Sequence, residues 1–281
     1  FLHNIGFRGG DGMEHLYSTQ VINPGTWTDT AALLPGITTV SHEYFHTWWV
    51  KRIRPAALGP FDYTREQYQP SLWIAEGWTN YYGGMTLHRG GIIPKGMLYE
   101  RLAGMIRYNS VTPGRTQRSA RMASIDAPFF DGAAHAMEHN GSQTWISYYY
   151  KGEALAMLLD LMIRARSENA RSLDDVLRLV KTRTWDAPSE SYYLQGRGYT
   201  EADIERAVSE VYGADLHEWF ERYVGGREEL PWRETLALAG LELRVGEGRE
   251  RTYELREAPN ASAAQQRVRE GWLTGTTDPA R

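Results

Sequence analysis

The stretch VSHEYFHTWWVKRIRP, residues 40–55, sets two histidines four apart with a glutamate beside the first, embeds them in aromatic residues and ends in three cations and a proline. On a helix, residues i and i+4 share a face with Cβ atoms about 5 to 6 Å apart, so His42 and His46 are able to aim ring nitrogens at one ion with bonds of about 2.0 to 2.1 Å. Glu43 is rotated by about 100° from His42. It therefore flanks such an ion, where a carboxylate serves as a base toward water. The bland alternative is a core helix built on Tyr44, Phe45, Trp48 and Trp49, because H-E-x-x-H arises by chance about once in fifty chains of this composition.

A third ligand separates these readings, and LWIAEGWTNYY, residues 72–82, offers one. Glu76 sits among Trp73, Ala75, Gly77 and Trp78, too apolar a setting for an idle carboxylate. Asn80, one turn on, is placed either to hold a ligand histidine's ring N–H or to face solvent as an ordinary helix amide. A second pair, His135 and His139 in AHAMEHN, lacks the carboxylate next to its first histidine and has no placed third ligand, which argues against a second metal site. The histidines at 3, 15, 88 and 217 read as surface or ordinary hydrogen-bonded groups.

Outward from the motif, the pattern is mainly helical. FLHNIGFRGGDGMEHLYSTQVI reads as two short strands around the glycine cluster at Gly9, Gly10 and Gly12. The motif helix is expected from about Ile37, after Pro35-Gly36, to Arg54, where Pro55 stops it. A second helix covers SLWIAEGWTNYYGGMTLHR and ends at Gly90-Gly91, and a third starts at Pro94. From Val111 to Ser142 no period is clear, which suggests a long functional loop. YYYKGEALAMLLDLMIRARS resumes strong helical patterning. Ser172 with Asp175, and Thr200 with Asp203, look like N-caps with an acid in the first turn, and Asp215 to Tyr223 closes at Gly225-Gly226. LALAGLELRV and RTYELRE alternate like a β-hairpin after Trp232, and Ala261 to Trp272 reads as a helix.

Composition narrows the function classes. At 281 residues and 42% hydrophobic the chain buries one or two substantial cores, so a large catalytic-sized domain is expected. A net charge of -4 with 23% charged residues carries no nucleic-acid footprint and no sign of an anionic-membrane binder. With Cys 0 there is neither a thiolate nucleophile nor a cysteine-held metal, so any ion rests on His, Asp and Glu. No apolar run approaches membrane-spanning length. The start at Phe1 reads as a cut from a longer protein. The N-x-S matches at Asn140 and Asn260 are too common by chance to place it outside the cell.

HEYFHTWWVKRIRPAALGPFDY, SLWIAEGWTNYY and SYYYKGEALAMLLDLMIR, in that order, resemble the glycyl aminopeptidase family of zinc metallopeptidases, gluzincins related to thermolysin and aminopeptidase N that often carry a PDZ domain. The likeness runs to about Gly240. It implies an α+β, thermolysin-like catalytic fold over residues 1–235: a β segment at 1–36, metal-binding helices at 37–90 and a helical bundle at 91–235. A hairpin-and-helix appendage would occupy 236–281. Only 41 residues follow Gly240, fewer than the roughly 50 an independent domain needs, so no complete PDZ domain is expected. An N-terminal β domain of relatives is likewise not expected within these residues.

The resemblance further implies one Zn2+ on His42, His46 and Glu76, with Glu43 as general base. Tyr149, two positions before Lys151-Gly152, is the implied oxyanion donor, although Tyr148 and Tyr150 flank it. Glu14 of Gly10-Asp11-Gly12-Met13-Glu14-His15 matches the glutamate that reads a substrate's free amine in a Gly-x-Met-Glu-Asn strand, with His15 in place of Asn; its plain alternative is an exposed strand-edge acid. Trp49 departs from the polar residue expected after His-x-Trp. The implied substrate is a peptide with a free N-terminus, small residues such as Gly or Ala preferred, and a periplasmic or secreted location is favoured over a cytoplasmic one. Rival readings are a zinc endopeptidase and a zinc-containing peptide-binding protein without turnover; the intact Glu43 argues against the latter.

Overall fold

The computed structural model describes residues 2–6, 11–23, 30–130, 141–192, 194–247 and 251–278. The glycines at 9 and 10 and the second histidine pair, with Glu138 between them, lie outside these residues. The N-terminal segment forms three strands rather than two, β1 (Leu2–Ile5), β2 (Asp11–Glu14) and β3 (Thr19–Asn23), in the order β1-β3-β2. Strand β3 is central because it alternates buried and less buried positions, with Val21 fully enclosed. It pairs in parallel with β1, His3 opposite Val21, and antiparallel with β2, where Gly12 faces Val21.

Helix α1 runs from Thr30–Phe45. It begins before Pro35-Gly36, so that pair does not break the helix: Gly36 meets the side chain of Asn23 on β3, where a Cβ would not fit. The helix also ends earlier than Pro55. Beyond Phe45 the chain widens into turns in which Lys51 N–H donates to His46 O at 3.0 Å and Ile53 N–H to Trp48 O at 2.8 Å, both five residues back. His46 therefore stands at the helix end rather than within it.

The second expected helix is present as α2 (Leu72–Ala75) and α3 (Gly77–Arg89), with Glu76 at the junction. Helix α4 (Lys95–Val111) follows Pro94. The stretch expected as a loop is instead partly helical: α5 (Ala120–Ile125), capped by Ser119, then α6 (Ala127–Phe130) and α7 (Gly141–Thr144). These elements are too short to display a period.

Helix α8 (Tyr148–Arg166) forms the axis of the molecule. Ala154 to Leu159 are all fully buried, so over this apolar run the helix is enclosed on every side. Both expected caps are complete capping boxes, at the starts of α9 (Leu173–Arg183) and α10 (Glu201–Tyr212). The C-terminal part holds α11 (His217–Phe220), α12 (Trp232–Leu238), the hairpin β4 (Leu241–Val245) with β5 (Tyr253–Glu257), and α13 (Ala263–Thr274). Leu236 to Leu238 are helical rather than part of the hairpin. The hairpin leans on α4 and α13 on α8. Among the described residues no helix is long and apolar enough to cross a membrane.

Candidate active site

Helices α1 and α3 pack face to face, and α3 also lies along α8, so the HExxH residues, Glu76 and the tyrosine run converge on one cleft of about 1020 Å³. His42 Nε2 lies 3.1 Å and His46 Nε2 3.2 Å from Glu76 Oε2, and the two ring nitrogens are 2.9 Å apart. The other nitrogen of each ring is already committed. His42 Nδ1–H donates to Asn80 Oδ1 at 2.8 Å, and His46 Nδ1–H donates to the carbonyl of Trp49 at 2.7 Å. With the neutral rings fixed in that tautomer, both Nε2 atoms present lone pairs toward each other and toward a carboxylate. Three acceptors without a hydrogen among them repel unless a cation or a proton joins them. The donor set, two imidazoles and a carboxylate, fits a divalent ion that takes N and O ligands.

The charges tell the same story. Burial and the neighbouring His46 hold His42 below its usual range despite its bond to Glu76. Burial also pulls His46 down, but the adjacent Glu76 carboxylate outweighs it and lifts the ring to about 9. Glu76 is itself buried, which would raise it, yet the two histidines hold it well below the ordinary carboxylate range.

Glu43 is 6% exposed, and its Oε2 has no hydrogen-bond partner among the described residues. Burial, opposed by His46 but aided by Glu14 and Glu76, pushes it up to about 7, near the pH at which a general base works best. Gly12 of β2 lies directly against this carboxylate, where a Cβ would collide with it. Glu14, two residues on, faces the same cleft, and its Oε1 accepts from Lys51 Nζ at 3.0 Å. Of the tyrosines, Tyr148 is 1% exposed and packed in the core, whereas Tyr149 and Tyr150 line the cleft. The ring of Tyr149 stands 6.0 Å from that of His42, while Tyr150 packs on Tyr108 at 4.7 Å.

Two positioning groups escaped the sequence reading. Trp49, instead of disturbing the packing, is stacked between Trp78 at 5.5 Å and Tyr199 at 5.4 Å, and its backbone carbonyl orients His46. A side-chain pattern carries no sign of a carbonyl's direction. Lys51 was the second, since only the fold brings it to Glu14. Its neighbours act elsewhere: Arg52 lies over Trp48 at 4.8 Å, and buried Arg54 donates to Gln195 O at 3.0 Å.

The cleft thus gathers a convergent His-His-Glu group and a buried glutamate with one oxygen unpartnered among the described residues. Residues 36–155 match the family model described as M61 glycyl aminopeptidase, which supports the resemblance carried by the three sequence blocks and a peptidase role. Among solved structures, the chain is similar to an aminopeptidase N family protein from Idiomarina loihiensis, at 23% identity and a TM-score of 0.74, over 87% of this chain. This chain spans 41% of the length of that structure. The likeness is one of fold, mixed α+β and dominated by helices. No curated protein matches the chain.

Proposed function

We propose that this chain is the catalytic part of a zinc-dependent aminopeptidase with a thermolysin-like fold, its catalytic unit running over residues 1–235 and its hairpin-and-helix appendage over 236–281. The observation that carries the reading is the trio His42 Nε2, His46 Nε2 and Glu76 Oε2, mutually within 3.2 Å and free of a shared hydrogen once both Nδ1 atoms are occupied. His42, His46 and Glu76 would hold the zinc, which would supply Lewis acidity toward the scissile carbonyl and toward water. Asn80 and the Trp49 carbonyl keep both rings turned toward the ion. Glu43 removes a proton from the attacking water and returns it to the departing amine. The Tyr149 hydroxyl donates to the oxygen on which negative charge develops, and Glu14 receives the α-ammonium of the substrate. A preference for small N-terminal residues such as Gly or Ala rests on the family resemblance.

The test is hydrolysis of aminoacyl p-nitroanilides alongside metal analysis. One zinc per chain, hydrolysis abolished by a chelator and regained with zinc is the expected result; absence of hydrolysis despite one bound zinc sinks the enzyme reading. Glu43→Gln should retain zinc while losing kcat. A second reading, a zinc endopeptidase, draws on the ion pair of Glu14 with Lys51, which leaves the amine anchor already engaged. Cleavage of N-blocked peptides that survives Glu14→Ala would favour it.

A further inference from the structure

Lys51 ends the wide turn that follows His46, and its ammonium lies 3.0 Å from the carboxylate of Glu14 on β2, a residue that lines the cleft. Both groups are partly exposed, the Lys51 side chain at 28% and that of Glu14 at 20%. The Glu14 carboxylate also comes within 4.8 Å of ligating atoms of Glu43 and His46, so the pair stands beside the proposed base. A primary ammonium at 3.0 Å from a carboxylate oxygen has the chemistry and geometry of a substrate's α-ammonium on its anchor.

We propose that Lys51 is a specificity-determining residue, an internal ammonium that competes with the substrate's N-terminus for Glu14 and so weakens discrimination between free and blocked peptides. This rests on Glu14 as the amine anchor. A carboxylate oxygen has lone pairs for more than one hydrogen bond, so the substrate amine is not shut out. It meets an already neutralised carboxylate, however, and gains less from it than from a lone anion.

The experiment measures, by calorimetry on the zinc-loaded chain, the Kd of glycine hydroxamate and of N-acetylglycine hydroxamate, probes that differ in the free amine and require no turnover. Lys51→Met should tighten glycine hydroxamate about two- to fivefold, the range of a partly exposed ion pair, and leave the acetylated probe unmoved. Lys51→Arg, which keeps the charge, should retain the parent's ratio of the two Kd values. In Glu14→Gln the free-amine probe should weaken, and adding Lys51→Met should then change nothing. If Glu14→Gln leaves glycine hydroxamate untouched, the anchor reading fails and this inference with it. If Glu14→Gln weakens that probe but Lys51→Met, with an unaltered melting temperature, does not tighten it, the competitor role alone is overturned. Equal shifts in both probes for Lys51→Met would mark a merely structural contact and overturn it as well.

Discussion

The position of a metal ligand is set less by its own rotamer than by whatever grips the far side of its ring. For His42 that grip is the side-chain oxygen of Asn80, 2.8 Å from Nδ1. Asn80→Ala removes it without touching the three ligating atoms, so zinc affinity, read by competition with a chelator, should fall about 10- to 100-fold while the chain stays folded. His46 is held by a backbone carbonyl, which no substitution deletes, and its ring should be correspondingly hard to loosen. The proposed base is governed by a contact of the opposite kind. Glu43 is pressed against Gly12, and Gly12→Ala forces the carboxylate or the strand aside. A displacement of about 1 Å at a catalytic group costs on the order of 100-fold, so kcat should drop by about that factor with little change in melting temperature. His42, His46, Glu43 and Glu76 were legible because ligand chemistry constrains residue type and helical spacing together. Gly12 and Trp49 were not, because a missing Cβ and a carbonyl direction acquire meaning only once another element lies against them.

Among the elements, the distance between α3 and α8 decides whether a tyrosine reaches the ligand trio. Gly77 and Gly152 meet backbone to backbone at this crossing, and a Cβ on Gly152 would strike the carbonyl of Trp73 and the Cα of Gly77. Glu76 adjoins one glycine and Tyr149 lies one turn before the other, so the crossing also sets the width of the cleft. Gly152→Ala should destabilise the chain by about 1 to 3 kcal/mol, seen as a lowered denaturant midpoint, because a well-packed crossing has no room to yield. The periodicity of both helices was plain in the sequence, and their glycines were visible, but which two glycines would touch depends on a crossing that periodicity does not specify. The capping boxes were wholly local and therefore legible. At the second of them, burial would raise Asp203, but its bonds with Arg197 and Thr200 win and hold it well below the ordinary range. The folded state then keeps this carboxylate ionised at a pH where the unfolded chain, with an ordinary value of about 3.9, already binds the proton. Its contribution is complete above that value and is lost as pH falls through it toward the folded value. Asp203→Asn should thus lower stability at neutral pH and flatten its decline under acid, which chemical denaturation at a series of pH values would show.

At the scale of the whole molecule, helix α13 is tied to the helices around α8 by a buried polar network. Asp160 on α8 is fully enclosed; it accepts from Tyr81 Oη at 2.6 Å, from Arg164 Nε at 3.1 Å and from the amide of Leu173 at 3.0 Å. Tyr81 in turn accepts from Trp272 Nε1 of α13 at 2.8 Å, and Arg164 Nη1 reaches Asn169 Oδ1 at 2.8 Å and Thr276 O at 2.7 Å. The sequence pattern announced helices at α8 and α13, yet nothing in it joined Asp160 to a tryptophan over a hundred residues away. Truncating one partner of such a network strands the other's charge in the core. Asp160→Ala should therefore cost about 3 to 5 kcal/mol, most of it the penalty for leaving Arg164 uncompensated. Replacing both charges removes that penalty, because two apolar groups of similar volume need no partner. Asp160→Leu with Arg164→Met should for that reason be markedly less destabilising than the sum of the single changes, the residue of the loss coming from the freed Tyr81 hydroxyl and the carbonyl of Thr276. Denaturant unfolding of the two singles and the double measures the difference directly. If their effects simply add, the network is a set of independent contacts, and the anchoring of α13 must be sought in apolar packing around Trp272 and Val268 instead.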